Sequence, residues 1–211
     1  MDIYLVRHGH RGDDPTNPAG VQKPKGRSLD PDISIIGVKQ AKQTGQRLKG
    51  LGIKAIYSSP FLRAVHTAHH IAEALELKVR IEWGLSEALG PLYKDWPGTI
   101  PPIKLARMFP TVDPDFPPTG ILPNCPEKDY WESHGRYHEA VLKLLERHSN
   151  ENILLVTHGA GVCSIPPALA GWEGYSGRPF LASVTKLHRD DAGKWTIGLN
   201  GDTSHLEYVR I

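Results

Sequence analysis

The chain has 211 residues, 25 Lys and Arg against 23 Asp and Glu for a formal charge of +2, 11 histidines and two cysteines. That length suits one sizeable α/β unit, and the near-neutral balance argues against nucleic acid or a membrane surface as partner, since both need clustered positive charge. No apolar run approaches the roughly 18–20 residues that span a bilayer, Met1-Asp2-Ile3 does not open like a secretory signal, and Cys125 and Cys163 make no disulfide framework, so a cytoplasmic setting is expected.

A short apolar strand is predicted over Ile3–Val6, stopping at Arg7-His8-Gly9-His10-Arg11. From Gly12 to Asp32 the chain is polar, rich in Gly, Pro and Lys, and reads as a loop. Ser34 is placed to N-cap a helix whose Val38, Ala41, Leu48 and Leu51 recur at helical spacing, with Gly50 and Gly52 ending it. A second strand at Ala55–Tyr57 leads to Ser58-Ser59-Pro60, which reads as an N-cap followed by proline at the first helical position. That helix runs through Ala64, Ala68, Ile71 and Leu75, and a third strand covers about Val79–Glu82.

Ten of the 18 prolines lie between Pro91 and Pro126, among Tyr93, Trp96, Phe109 and Phe116. So long an irregular insertion is usually a lid or binding loop, so 88–126 is expected to cap a site, with Tyr93, Trp96 and Phe109 as candidate lining. A helix follows from about Glu127 to Ser149, then a buried strand, Ile153–Val156, ending at Thr157-His158-Gly159. Two alternating runs, Ser183–His188 and Lys194–Leu199, flank Asp190-Asp191-Ala192-Gly193 as a hairpin. The alternation of strands and helices implies a three-layer α/β/α sandwich in one domain over 1–211. Its sheet would be mostly parallel, with helices on both faces and an antiparallel C-terminal hairpin.

Ligands of an open parallel sheet bind at the carboxyl ends of its strands. Two of the most apolar strands end alike, in Arg7-His8-Gly9 and Thr157-His158-Gly159. If they are parallel neighbours, both histidines face one crevice. Arg63 lies in the first turn of its helix, where the dipole disfavours a cation unless an anion is held there too.

These residues resemble the histidine phosphatase superfamily in its phosphoglycerate-mutase-like branch. Arg7-His8-Gly9 matches its signature triplet, Pro60-x-x-Arg63-Ala64-x-x-Thr67-Ala68 its second arginine, Leu85-Ser86-Glu87 its acid and Val156-Thr157-His158-Gly159 its second histidine. Ile33-Ser34-x-x-Gly37-x-x-Gln40-Ala41 and Asn200-Gly201-Asp202-Thr203-Ser204-His205-Leu206 match as well, in the correct order along the chain. The resemblance implies a phosphomonoester phosphatase in which His8 becomes a transient phosphohistidine and His158 steadies the transferring group. Glu87 would act as general acid and then as base. Arg7, Arg11, Arg63 and Gly159 would bind the phosphate, the arginines as planar forks whose charge keeps His8 unprotonated. Arg11, two residues after Gly9, is similar to the group containing ecdysteroid-phosphate phosphatases and tyrosine phosphatase-like members, although His10 stands where that group has Glu. The partner implied is a phosphomonoester, small molecule or protein, with no metal and no cofactor, and dimers in related proteins incline the expectation towards a homodimer.

A mutase-type phosphotransferase is the alternative. Its disadvantage is that His10-Arg11-Gly12-Asp13-Asp14 follows His8 where the familiar mutases carry Asn and further basic residues. A non-catalytic phosphate- or phosphopeptide-binding module would be expected to lack a histidine or the acid. Gly159-Ala160-Gly161-Val162-Cys163-Ser164 lacks the third glycine of a dinucleotide loop. Neither cysteine has an arginine six positions on, as a cysteine phosphatase would. Asp30-Pro31-Asp32 and Asp113-Pro114-Asp115 read as turns. His66, His69 and His70, and His134 with His138, have spacings a metal could use, but no further ligand is indicated and they read as solvated or partly buried faces.

Overall fold

The computed structural model describes residues 1–23, 26–94, 98–148, 150–173 and 175–207. In chain order its elements are β1 (Asp2–Arg7), α1 (Ile35–Leu48), β2 (Ile53–Ser58), α2 (Leu62–Leu75), β3 (Val79–Ile81), α3 (Pro102–Met108), β4 (Val112–Asp113), α4 (Tyr130–Leu145), β5 (Asn152–Thr157), α5 (Gly159–Ala170), β6 (Val184–Arg189) and β7 (Trp195–Asp202), with single 3₁₀ turns at Trp83–Leu85 and Pro91–Tyr93. The strands form one sheet in the order β4-β3-β2-β5-β1-β6-β7. The first five run parallel, and β6 lies antiparallel to both β1 and β7.

The strands are apolar throughout because both faces are covered. With side chains alternating along each strand, Tyr4, Val6, Ile56, Leu154 and Val156 face a cluster with α1, α2 and α3. Ile3, Leu5, Tyr57, Ile153 and Leu155 face the opposite cluster, with Tyr137 and Val141 of α4 and Val162 and Ile165 of α5. This is the mixed α/β sandwich with an antiparallel C-terminal hairpin that the sequence implies. No helix among the described residues is long and apolar enough to cross a membrane.

Three local expectations are corrected. The buried face of α1 is Gly37, Gln40, Ala41, Thr44, Gly45 and Leu48, with Val38 only half-buried; Gln40 and Thr44 are tolerated inside because both are hydrogen-bonded. The helix after β2 begins at Leu62, with Phe61 rather than Ser59 at the N-cap. The Ser59 hydroxyl faces His158 instead, and the Leu62 N–H donates to Asp30 Oδ1 at 2.7 Å, across 32 residues of chain. Asp30 is therefore a fully buried helix cap and more than a turn residue.

The insertion is also only partly a lid. Its α3 and β4 belong to the scaffold: β4 extends the sheet beside β3, and Leu105, Phe109 and Val112 are buried in the core. Phe109 packs against His66 and His69 with ring centroids 4.8 and 5.4 Å away, so it is core and not pocket lining. Trp96 lies outside the described residues.

Candidate functional site

β1 and β5 are parallel neighbours in a register that sets Arg7 opposite Thr157, so the two His-Gly ends emerge side by side. The rings of His8 and His158 lie 5.3 Å apart, edge to face, and both residues are buried. His8 Nδ1 is 2.9 Å from Gly9 O, an atom that only accepts, so Nδ1 carries the proton and Nε2 keeps its lone pair. The turn that aims His8 packs directly on the start of α1. A Cβ on Gly9 would lie 2.8 Å from Gly37 O, and one on Gly37 would lie 2.4 Å from His10 O. Gln40 Oε1 accepts the His10 N–H, and Thr67 Oγ1 of α2 accepts the Gly9 N–H. His10 itself is buried structure, bonded through its ring to the hydroxyls of Ser34 and Thr16.

The first turn of α2 carries Arg63 into the same crevice, where it is 1% exposed. Its guanidinium lies 4.7 Å over the Phe61 ring and donates from Nη2 to Glu87 Oε2 at 3.2 Å. The same carboxylate oxygen is 3.3 Å from His158 Nδ1, and His158 Nε2 is 2.7 Å from Ser59 Oγ. Arg7 is anchored by an Nη1 bond to Pro179 O. Arg7 Nε, Arg63 Nε and Nη1, and His158 Nδ1 are buried without a hydrogen-bond partner among the described residues. Unpartnered buried donors are costly, and this set is cationic, so a bound anion would satisfy it.

Burial, reinforced by Arg63 and Arg7, holds the His8 imidazole well below its ordinary pKa; His158 is lowered in the same way by burial, Arg63 and His8. Both rings are therefore neutral near pH 7. His8, His158 and Glu87 bring ligand atoms within 4.8 Å of one another. The half-buried Arg7 and buried Arg63 guanidinium groups beside them oppose a divalent cation and favour an anion.

Of the residues singled out in the sequence, Arg7, His8, Arg63, Glu87 and His158 come together. Gly159 opens α5 beside Arg7, where a Cβ would make only ordinary contact with the guanidinium at 3.7 Å. Tyr93 packs edge-on against Phe61, with centroids 6.0 Å apart, and burial raises its phenol pKa against the pull of Arg63. Arg11 stands apart. It forks onto Asp13, Nε to Oδ1 at 2.8 Å and Nη2 to Oδ2 at 2.7 Å, and its side chain is 41% exposed.

Other residues that hold the site carry no local sequence signal. Arg136 of α4 donates to the carbonyls of Gly84, Ser86 and Glu87 and pairs with Glu127 at 2.6 Å; Glu127 in turn accepts the Leu89 N–H. Tyr137 adds a bond from its hydroxyl to Ser86 O. The loop bearing Glu87 is thus gripped from α4, some 50 residues away in the chain.

The chain matches the histidine phosphatase superfamily (branch 1) over residues 3–203. It is 28% identical over 219 residues to a Proteus mirabilis protein described as probable phosphoglycerate mutase GpmB, covering 100% of this chain and 97% of that one. Its fold is similar to ecdysone phosphate phosphatase from Bombix mori in complex with tungstate, with a TM-score of 0.75, 18% identity and coverage of 95% and 93%. It is similar as well to a phosphoserine phosphatase mutant from Entamoeba histolytica in complex with phosphoserine, with a TM-score of 0.65, 22% identity and coverage of 97% and 98%. The match spans the sheet and every element that feeds the crevice, from the Arg7-His8-Gly9 turn to the His158-Gly159 turn, and the chain belongs to branch 1 of the histidine phosphatase superfamily.

Proposed function

We propose that the protein is a metal-independent phosphomonoester phosphatase working through a phosphohistidine on His8. The observation that carries this reading is the neutral His8 ring, with Nε2 left free by the Nδ1 bond to Gly9 O, set beside buried and unpartnered guanidinium N–H groups of Arg7 and Arg63. Those donors suit the non-bridging oxygens of a phosphate, where charge is spread as the phosphoryl group transfers.

In the proposed reaction Nε2 of His8 attacks phosphorus in line, and the bond to the leaving oxygen breaks. His158 and the two arginines hold the phosphoryl oxygens. Glu87, at the rim and bonded to Arg63, supplies the proton that the leaving alkoxide needs. Glu87 then accepts a proton from the water that cleaves the N–P bond, releasing phosphate and regenerating the free imidazole.

A panel of phosphomonoesters assayed with excess EDTA, comparing wild type with His8→Ala, tests this. Activity resistant to EDTA and lost in His8→Ala is the expected result, together with an acid-labile, alkali-stable phosphoenzyme. Activity surviving in His8→Ala overturns the nucleophile, and abolition by EDTA overturns the metal-free mechanism. The mutase reading is favoured by the relatives described as mutases. Transfer of phosphate from the phosphoenzyme to 3-phosphoglycerate, in preference to water, would establish it.

A further inference from the structure

Phe61 stands at an open position of Pro60-x-x-Arg63 and is fully buried, yet among the described residues it belongs to neither of the apolar clusters that pack the faces of the sheet. Its backbone is fixed by the start of α2. The Phe61 carbonyl accepts the Ala64 and Val65 N–H groups at 2.9 and 3.0 Å, and its φ of −67° and ψ of 135° are those of an extended N-cap. What the ring meets is the site. The Arg63 guanidinium lies over its face, 4.7 Å from the centroid. The His158 ring stands edge to face with it at 5.1 Å, and Tyr93 does the same from the insertion at 6.0 Å. His158 is in turn edge to face with His8 at 5.3 Å, so four rings run in file from Tyr93 to the proposed nucleophile.

A guanidinium donates only in its own plane, so each support along its edge takes up a donor. Arg63 has two neighbours there: Glu87 Oε2, which accepts from Nη2 at 3.2 Å, and Asp30 Oδ1, 3.9 Å from Nη1. Its Nε and Nη1 stay buried without a hydrogen-bond partner among the described residues. An aromatic face holds a cation through the negative side of its quadrupole and takes up no donor at all. We propose that Phe61 is a positioning residue whose ring face fixes the plane of the Arg63 guanidinium and so aims its free N–H groups at the phosphate. This rests on the phosphatase reading of the same crevice and deepens it. The ring face also offsets part of the repulsion between Arg63 and Arg7. Because the ring selects the orientation that is competent to bind, losing it lowers the competent fraction, and the apparent affinity for the phosphate falls by that fraction.

A graded series at position 61 tests this: Phe61→Leu, and protein in which Phe61 is replaced by singly fluorinated phenylalanine or by pentafluorophenylalanine. Leucine fills the space without an aromatic face. Fluorination nearly keeps the shape and progressively reverses the charge distribution of the ring. The Kd of vanadate, as a phosphate mimic, is measured for each protein, with kcat/KM on 4-nitrophenyl phosphate, and denaturant unfolding fixes the folded fraction. A desolvated cation–π contact corresponds to up to roughly 30-fold in an equilibrium. Vanadate should accordingly bind about 5- to 30-fold less tightly to Phe61→Leu and at least as weakly to the pentafluorophenylalanine protein. The singly fluorinated ring should fall between wild type and the fully fluorinated one, and kcat/KM should follow the same order. Wild-type vanadate affinity in both fluorinated proteins, whatever leucine does, would overturn the inference and leave Phe61 as packing alone. A loss that does not grow with fluorination would overturn it too. Failure of wild type to hydrolyse any monoester would sink the phosphatase reading, while the vanadate series would still decide the role of Phe61.

Discussion

Arg136→Met removes the clamp that holds the Glu87 loop while leaving the crevice residues untouched. Arg136 is 6% exposed and its partner Glu127 is 3% exposed, so neither end of the pair is rescued by solvent. Removing one partner of a buried ion pair strands the other charge, at a cost of about 3–5 kcal/mol. The carbonyls of Gly84, Ser86 and Glu87 lose a donor in the same step, each bond contributing about 1 kcal/mol net, though not additively. Denaturant unfolding should therefore show Arg136→Met destabilised by about 3–5 kcal/mol. Arg136→Met with Glu127→Leu should cost about 2–3 kcal/mol less than the two single changes summed, because the stranded carboxylate is gone. The loosened loop also lets Glu87 drift from the leaving oxygen. Turnover of an alkyl phosphate, which needs a proton donor, should fall about 10- to 100-fold, within the range a general acid supplies. Turnover of 4-nitrophenyl phosphate, whose phenolate leaves with little help, should fall much less. A single-variant cost below about 1 kcal/mol, or equal losses on the two esters, would refute the clamp.

Ser59→Ala takes away the hydroxyl 2.7 Å from His158 Nε2 and should lower kcat/KM by about tenfold, the equivalent of one lost hydrogen bond of ~1.4 kcal/mol; unchanged kinetics would mean that Ser59 does not orient the ring. Phe109→Ala should destabilise by about 3–5 kcal/mol, as core aromatics do, without altering KM in the folded fraction, whereas a raised KM in a stable variant would return Phe109 to the pocket. The buried neutral histidines set a pH dependence of stability. Because His8 and His158 are held well below 6.5 in the folded chain, the unfolded chain binds more protons below that pH. Stability should then fall as pH drops from about 6.5, by up to ~1.4 kcal/mol per unit for each histidine. Unfolding at pH 7.5 and 5.5 should show a smaller acid loss in His8→Asn than in wild type, and identical losses would contradict the assignment.

What could be read in the sequence was what lies together in the chain. Leu5-Val6-Arg7-His8-Gly9 and Leu155-Val156-Thr157-His158-Gly159 each place an apolar run directly before a polar turn, so strand, strand end and site residue share one short stretch. Arg63 declared itself by standing in a first helical turn, where a cation alone is disfavoured. The Pro-rich insertion misled because proline density reports missing backbone donors and says nothing of burial. Leu105, Phe109 and Val112 are core residues supplied from within it.

Ser59 shows why the supporting polar residues stayed hidden. Ser-Pro before a helix has a local use as an N-cap, contributing about 1 kcal/mol, but the hydroxyl is committed to a histidine 99 positions later. Its capping role passes to Asp30, which no local pattern connects with Leu62. Burial raises the Asp30 pKa, and only its bonds to Arg27 and the Leu62 N–H, with Arg63 Nη1 at 3.9 Å, draw it back towards the charged form. One carboxylate thus caps α2 and lies against the arginine which that helix delivers to the crevice. Asp30→Asn should accordingly loosen helix and crevice together. Amide exchange should speed up in the first turn of α2, and vanadate, as a phosphate mimic, should bind less tightly. Faster exchange with unchanged vanadate affinity would show that the cap and the crevice are independent.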